Sequence, residues 1–327
     1  MKSEEQQGDH HPPTGLTMCQ LQVLPTKTLM MGVSSLVLLL CMYFIYPAYP
    51  TTAGKSLAKW TWLACNAQNG FFHGRFIPFA FLVMVAMAWT KVRDYRVLPS
   101  WWGLGALLLG LLFYFASIRT IQPRLALIGA PFVIVGFAHY CMGWKIAKAV
   151  VFPAFFFWFA IPVPGLEVLL TGRLQILITQ LCYHVGVFCG MDLTMAGTNI
   201  SVKGNGLEIA PGCSGIRSLM ALVMISAVYA NYTQKELWKK AILFAASFPL
   251  AIIGNFGRIF TILVFSQMGL EDFAKQTYHD WAGLLFFFPI ALSGLYLIDF
   301  LLNYRTRGRK KIKRSVKKVV KAGEEGV

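Results

Sequence analysis

Long apolar runs leave this chain few ways to fold. About 20 apolar residues cross a ~30 Å hydrocarbon core as one α-helix. Eight runs near that size lie at residues 29–47, 72–90, 101–118, 125–143, 147–163, 216–232, 241–266 and 282–303. Only 13% of the residues are charged and 56% are hydrophobic, whereas a soluble domain carries about a quarter charged. The expectation is an all-α polytopic membrane protein with about eight transmembrane helices. Residues 1–28 read as a polar N-terminal tail, 29–303 as the transmembrane domain and 304–327 as a basic cytoplasmic tail. No cleaved signal is expected, so the first span is retained.

The net charge of +16 does not point to nucleic acid, because ten of the 30 Lys and Arg fall between Arg305 and Lys321. A basic block directly after a last span is a cytoplasmic tail set against anionic lipid. With that tail inside, the loops carrying Lys91, Arg93 and Arg96, then Lys145 and Lys148, then Lys235, Lys239 and Lys240 also fall inside. Opposite loops hold Arg119 and Arg124, or Lys275. The N-terminus then lies in the cytoplasm. The seven cysteines form neither a disulfide framework nor a metal-ligand spacing, and His10-His11 are too few for a metal. With no Gly-rich phosphate loop either, no cofactor is implied.

Residues 166–188 are apolar except for Glu167, Thr171, Gln175 and Thr179, which recur every four positions as one polar stripe. Such a helix lies in the outer interface or lines a cavity, and it is read as non-spanning. Next comes the one strand-like stretch. Thr198–Lys203 and Leu207–Ile209 alternate around Gly204-Asn205-Gly206, predicting a small extracytoplasmic β-hairpin. Its edge suits an extended peptide, and it serves equally well as a plain connection.

The hairpin leads to Cys213, set between Gly212 and Gly215 ahead of an apolar run. A thiol at a helix N-terminus meets unpaired N–H groups and the positive end of the helix dipole, which favour the thiolate. Arg217 adds a positive charge one turn on. Arg258 lies 17 residues into the span that begins near Ala241, about 25 Å along it. An arginine so placed needs a polar cavity, and Asn255, Gly254 and Gly257 favour close packing around one. His279 precedes the last span, with Tyr278 or Asp280 to orient it. Cys213, Arg258 and His279 thus reach one face from three spans. They are the minimum set for acyl transfer through a thioester: nucleophile, oxyanion donor and base. His73 opens the second span from the same side as a substrate contact, an interfacial residue or a second proton carrier. His139 and His184 read as structural. A multi-pass transporter of a small molecule or lipid-linked precursor is the alternative class, and internal repeats would mark it.

Cys213-Ser-Gly-Ile-Arg-Ser-Leu219, Asn255-Phe-Gly-Arg258, His279 followed by Gly283, and His73-Gly74 before Pro78 together resemble the exosortase and archaeosortase family over residues 70–300. The resemblance implies a membrane cysteine transpeptidase or peptidase of the inner membrane, with its site on the extracytoplasmic side. Its substrates would be exported proteins ending in a short motif, a transmembrane helix and a basic cluster, passed to an amine acceptor or to water. It implies Cys213 as nucleophile, Arg258 as transition-state stabiliser and His279 as general acid/base. Arg217, Asn255 and His73 are supporting residues.

Overall fold

The computed structural model describes residues 26–46, 55–66, 71–163, 166–202, 205–208, 216–270 and 287–304. Every expected apolar run holds a helix. Helix α1 (Thr26–Leu40) continues through a π-turn to Ile45, and the short α2 (Leu57–Ala64) starts at Ser56, whose hydroxyl accepts from the Lys59 N–H. A 3-10 turn at Phe72–Phe76 feeds α3 (Ile77–Val92), with proline in its first turn, where a missing N–H costs nothing. Then come α4 (Trp102–Thr120), α5 (Pro123–Met142) and α6 (Trp144–Phe156), the last closed by a 3-10 turn at Phe157–Ala160. Beyond α7 (Leu166–Phe188) and a small sheet lie α8 (Ile216–Thr233), α9 (Leu237–Gln267) and α10 (Phe288–Tyr304).

Among the described residues, four helical stretches are long and apolar enough to cross a membrane: Phe72–Val92, Trp102–Thr120, Pro123–Met142 and Leu237–Gln267. The runs at 29–47, 216–232 and 282–303 hold shorter apolar helices. The run at 147–163 is divided, because α6 tightens into its 3-10 turn before Ile161. Length and composition alone therefore support four spans, where about eight were expected.

Helices α4 and α5 form the tightest pair, and small residues allow it. A Cβ on Gly136 would stand 2.3 Å from the Leu107 nitrogen, and one on Gly103 the same distance from the Tyr140 nitrogen. Gly110 and Gly129 face each other at the same seam. Tyr114 of α4 reaches the other way, its hydroxyl donating to the Met42 carbonyl at 2.7 Å and so holding the end of the first helix. Helix α3 packs on α6 through Ile77, Met84, Phe156 and Ala160, and Met224, Val228 and Tyr232 of α8 close over them.

The expected hairpin is a three-stranded antiparallel sheet, β1 (Leu193–Ala196), β2 (Asn199–Val202) and β3 (Asn205–Glu208), in that order. The first strand was not expected, since Leu-Thr-Met-Ala is too short to show alternation. Gly197 at φ +63° turns β1 into β2, a backbone that favours glycine. Strand β3 begins at Asn205, inside the Gly204-Asn205-Gly206 turn read from the sequence, because Asn205 pairs with Val202. Leu193, Ile200 and Val202 are buried against Ile259, Ile262 and Leu263 of α9 and Ile178 and Cys182 of α7. Of the polar stripe of α7, Gln175 and Thr179 face inward, at 9% and 0% exposure.

The opposite end of the α8–α9–α10 group is tied by a buried polar network. Asp299, 3% exposed, accepts from the Tyr229 hydroxyl at 3.1 Å, the Asn303 amide at 2.9 Å and the Gln234 amide. Lys239 donates to the Asn303 side-chain oxygen and to Glu236, each at 3.3 Å. A buried carboxylate this well supplied with donors joins three helices and needs all of them.

Replacing Gly136 by valine should lower the thermal midpoint of the detergent-purified protein, with an overpacking cost of about 1–3 kcal/mol. Gly105→Val, where an added Cβ meets nothing within 4 Å, should leave that midpoint unchanged. Equal losses in the two variants would mean that the α4–α5 seam is not close-packed.

Candidate functional site

Helix α9 has 31 residues, about 46 Å at ~1.5 Å per residue, and so exceeds a ~30 Å hydrocarbon core. Lys239 and Lys240 mark one end. The sheet packs on Ile259–Leu263 near the other, and Arg258 sits just short of it. Ala251, Asn255, Arg258 and Ile262 follow one another at spacings of four, three and four, which puts them along one side of the helix. Ala251, Asn255 and Ile262 are buried and Arg258 is half-buried. Asn255 is only 2% exposed, so its amide belongs to the protein interior and not to the lipid.

The glycines expected to allow close packing do so on the adjoining side. A Cβ on Gly254 would meet the Phe287 ring at 2.9 Å, and one on Gly257 would touch Ile290 at 3.4 Å. The start of α10 therefore lies against the α9 turn that carries Asn255 and Arg258.

Two contacts fix where α8 begins. The Ser226 hydroxyl donates to the Leu243 carbonyl at 2.8 Å, and the two helices run antiparallel. Ten residues back along α8 (226 − 10) is Ile216, and ten forward along α9 (243 + 10) is Ile253. The first turn of α8 is thus abreast of the α9 turn just before Asn255 and Arg258. Ile216 and Leu219 do pack in one cluster with Ala251 and Phe287. The second contact is Lys91, whose ammonium lies 5.4 Å from the Tyr232 ring centre. Sixteen residues back from each (91 − 16 and 232 − 16) come Arg75 and Ile216, so the opening of α3 stands at the same level.

His73 lies in that opening. Its Nε2 is 3.1 Å from the Phe159 carbonyl oxygen, which only accepts, so Nε2 carries a proton. The Phe159 ring packs against both the Ile216 cluster and the Ile77 cluster, which ties the histidine to the start of α8. Gly74 follows because Cys65 and Ala160 crowd it: a Cβ there would stand 2.4 Å from the Cys65 sulfur. Burial pushes the Cys65 thiol up to about 11, against a smaller lowering by Arg75. Cys65 is thus a packing residue and not a nucleophile.

The structure therefore gathers Asn255 and Arg258 of α9, the first turn of α8 with Arg217, and His73 ahead of α3 at one end of the molecule. Cys213 and His279 lie outside the described residues, as does the Arg217 side chain. Cys213 precedes Ile216 by three residues, and His279 falls between Leu270 and Phe287. His139 and His184 make ring contacts with Trp144 and Tyr183. One polar feature escaped the sequence reading, the Asp299 network. A carboxylate inside an apolar run was the available signal for Asp299. Among the described residues, no three His, Cys, Asp or Glu gather as metal ligands would.

Asn255→Ala should cost about 1–3 kcal/mol of stability, the penalty for disturbing a buried hydrogen-bonding group, read as a lower thermal midpoint in detergent. An unchanged midpoint would place the amide at a lipid-facing surface.

A family model described as transmembrane exosortase matches residues 60–296. No curated protein and no solved structure matches the chain.

Proposed function

The chain belongs to the transmembrane exosortase family, and we propose that it is a membrane-embedded cysteine transpeptidase or peptidase that cleaves C-terminal sorting signals of exported proteins. The observation that carries this reading is the level of Arg258. It lies half-buried beside Asn255 on the side of α9 near which α8 starts, and Cys213 is three residues ahead of that start. A chain of three residues spans at most about 11 Å, and this limit supports a sulfur within reach of the guanidinium.

In the proposed reaction the Cys213 thiolate attacks the scissile carbonyl carbon. Arg258, with backbone N–H groups near Cys213, stabilises the oxyanion. As the C–N bond breaks, His279 gives its proton to the departing amine and the exported protein remains as a thioester. An amine or water then attacks that carbonyl, His279 takes its proton, and the C–S bond breaks to restore the thiolate. Arg217 supports the thiolate by charge, Asn255 holds its neighbour in place, and His73 contacts substrate. The substrate's C-terminal helix enters from the bilayer with its basic cluster at the cytoplasmic face of the inner membrane. The cleavage motif then lies at the extracytoplasmic level of Cys213. The enzyme's own basic tail, 304–327, rests on anionic lipid.

Cys213→Ala should leave an inserted, folded protein that no longer processes a co-expressed substrate. Unimpaired processing would discard the thioester scheme. Arg258→Lys should reduce the rate about 100-fold, the typical loss of one oxyanion donor, because an ammonium does not reproduce the planar fork of donors. Wild-type turnover with lysine would leave Arg258 as a plain counter-charge.

A further inference from the structure

Cleavage next to a transmembrane helix requires the peptide before the scissile bond to be extended, and the small sheet offers a place to hold it. The two ladders agree on how its backbone is directed. A two-residue link makes the flanking pair a hydrogen-bonded one, and pairs then alternate along the ladder. From Val202↔Asn205, the next hydrogen-bonded pair is Ile200↔Leu207. From Ala196↔Asn199, the next on the other side is Thr194↔Ser201. Strand β2 thus directs residues 200 and 202 toward β3 and residues 199 and 201 toward β1, with no conflict. On β3, Asn205 and Leu207 are committed to β2. Gly206 and Glu208 direct their N–H and C=O groups outward, and among the described residues no strand lies on that side.

The sheet is held in place, since Leu193, Ile200 and Val202 are buried against Ile259, Ile262 and Leu263, next to Arg258 on α9. From Glu208 to Cys213 is five residues (213 − 208), at most about 17 Å of chain. An extended peptide at ~3.3 Å per residue covers that distance with about five residues. We propose that the outer edge of β3 binds the sorting motif as a fourth strand, through the backbone groups of Gly206 and Glu208. Resting on the transpeptidase reading above, this assigns the motif's recognition largely to main-chain pairing. It places the extended segment just N-terminal to the scissile bond, so that it stays attached to the enzyme as the thioester forms.

Proline discriminates the edges. At Glu208 it removes an outward N–H that the sheet itself does not use, and edge strands tolerate proline in that position. The readout is the hydroxylamine-labile protein adduct on Cys213 in native membranes, alongside alkylation of Cys213 by iodoacetamide as a check that its loop is intact. Glu208→Pro should cut the adduct at least tenfold with alkylation preserved. Met195→Pro, on the outward register of the far strand β1, should change the adduct less than twofold. Wild-type adduct levels in Glu208→Pro, or equal losses at both edges, would overturn the proposal. Should Glu208→Pro lose alkylation, Gly206→Pro repeats the test, and a proline scan of the trapped protein's own motif reads the pairing from the other side. Tolerance there should alternate with a period of two, and uniform tolerance would overturn the proposal. A protein that forms no adduct even unmutated would instead defeat the thioester reading, a separate result.

Discussion

An arginine inside a long apolar helix is costly, and much of this molecule is arranged around the one at position 258. An unmatched charge at membrane depth costs several kcal/mol, so the turn that carries it is enclosed by protein. Helix α10 closes on Gly254 and Gly257, α7 and the sheet pack against the residues that follow, and α8 begins at the same level. Asn255 is buried deeper than Arg258 and lies between it and Ala251. The guanidinium is thereby held at a fixed level relative to the start of α8.

That level is set from the far end. The Asp299 carboxylate draws donors from α8, from the link after it and from α10, and Lys239 joins α9 to the same network through Asn303. Helices are stiff rods rising ~1.5 Å per residue, so pinning three of them at one end fixes the depth of their residues at the other. Ser226 on the Leu243 carbonyl adds a second pin along the way. The polar network is far from the proposed chemistry, yet it governs which turn of α9 stands beside the first turn of α8.

Much of this was legible in the sequence where the signal was long or chemically costly. Apolar runs of about 20 residues announced the helices, and Arg258 with its glycines announced close packing around a charge. The stripe through Gln175 and Thr179 pointed to a helix at the outer interface or along a cavity, and those two residues are buried. Short or long-range features were less visible. Strand β1 is four residues without alternation, and only Leu193 of it is buried, in the cluster with Ile262 and Leu263. Two of the three partners of Asp299, Tyr229 and Gln234, come from 70 and 65 residues away in the sequence, which no local pattern encodes. The division of the 147–163 run follows from the 3-10 turn at Phe157–Ala160, whose Phe159 packs against the Ile216 cluster of α8. Cys213 and His279 fall outside the described residues, so their roles rest on the chain's length constraints, their residue types and the family.

The central claim is that sulfur, guanidinium and imidazole share one pocket at one end of the bundle. It is tested most directly by cross-linking in a variant stripped of every cysteine except Cys213, with a second cysteine placed at position 279, 258 or 239 and a short bis-maleimide as reagent. The account predicts efficient intramolecular cross-links from 213 to 279 and to 258, and none to 239. Cross-linking to 239 in place of the other two would put the cysteine at the wrong end of the helices and contradict it.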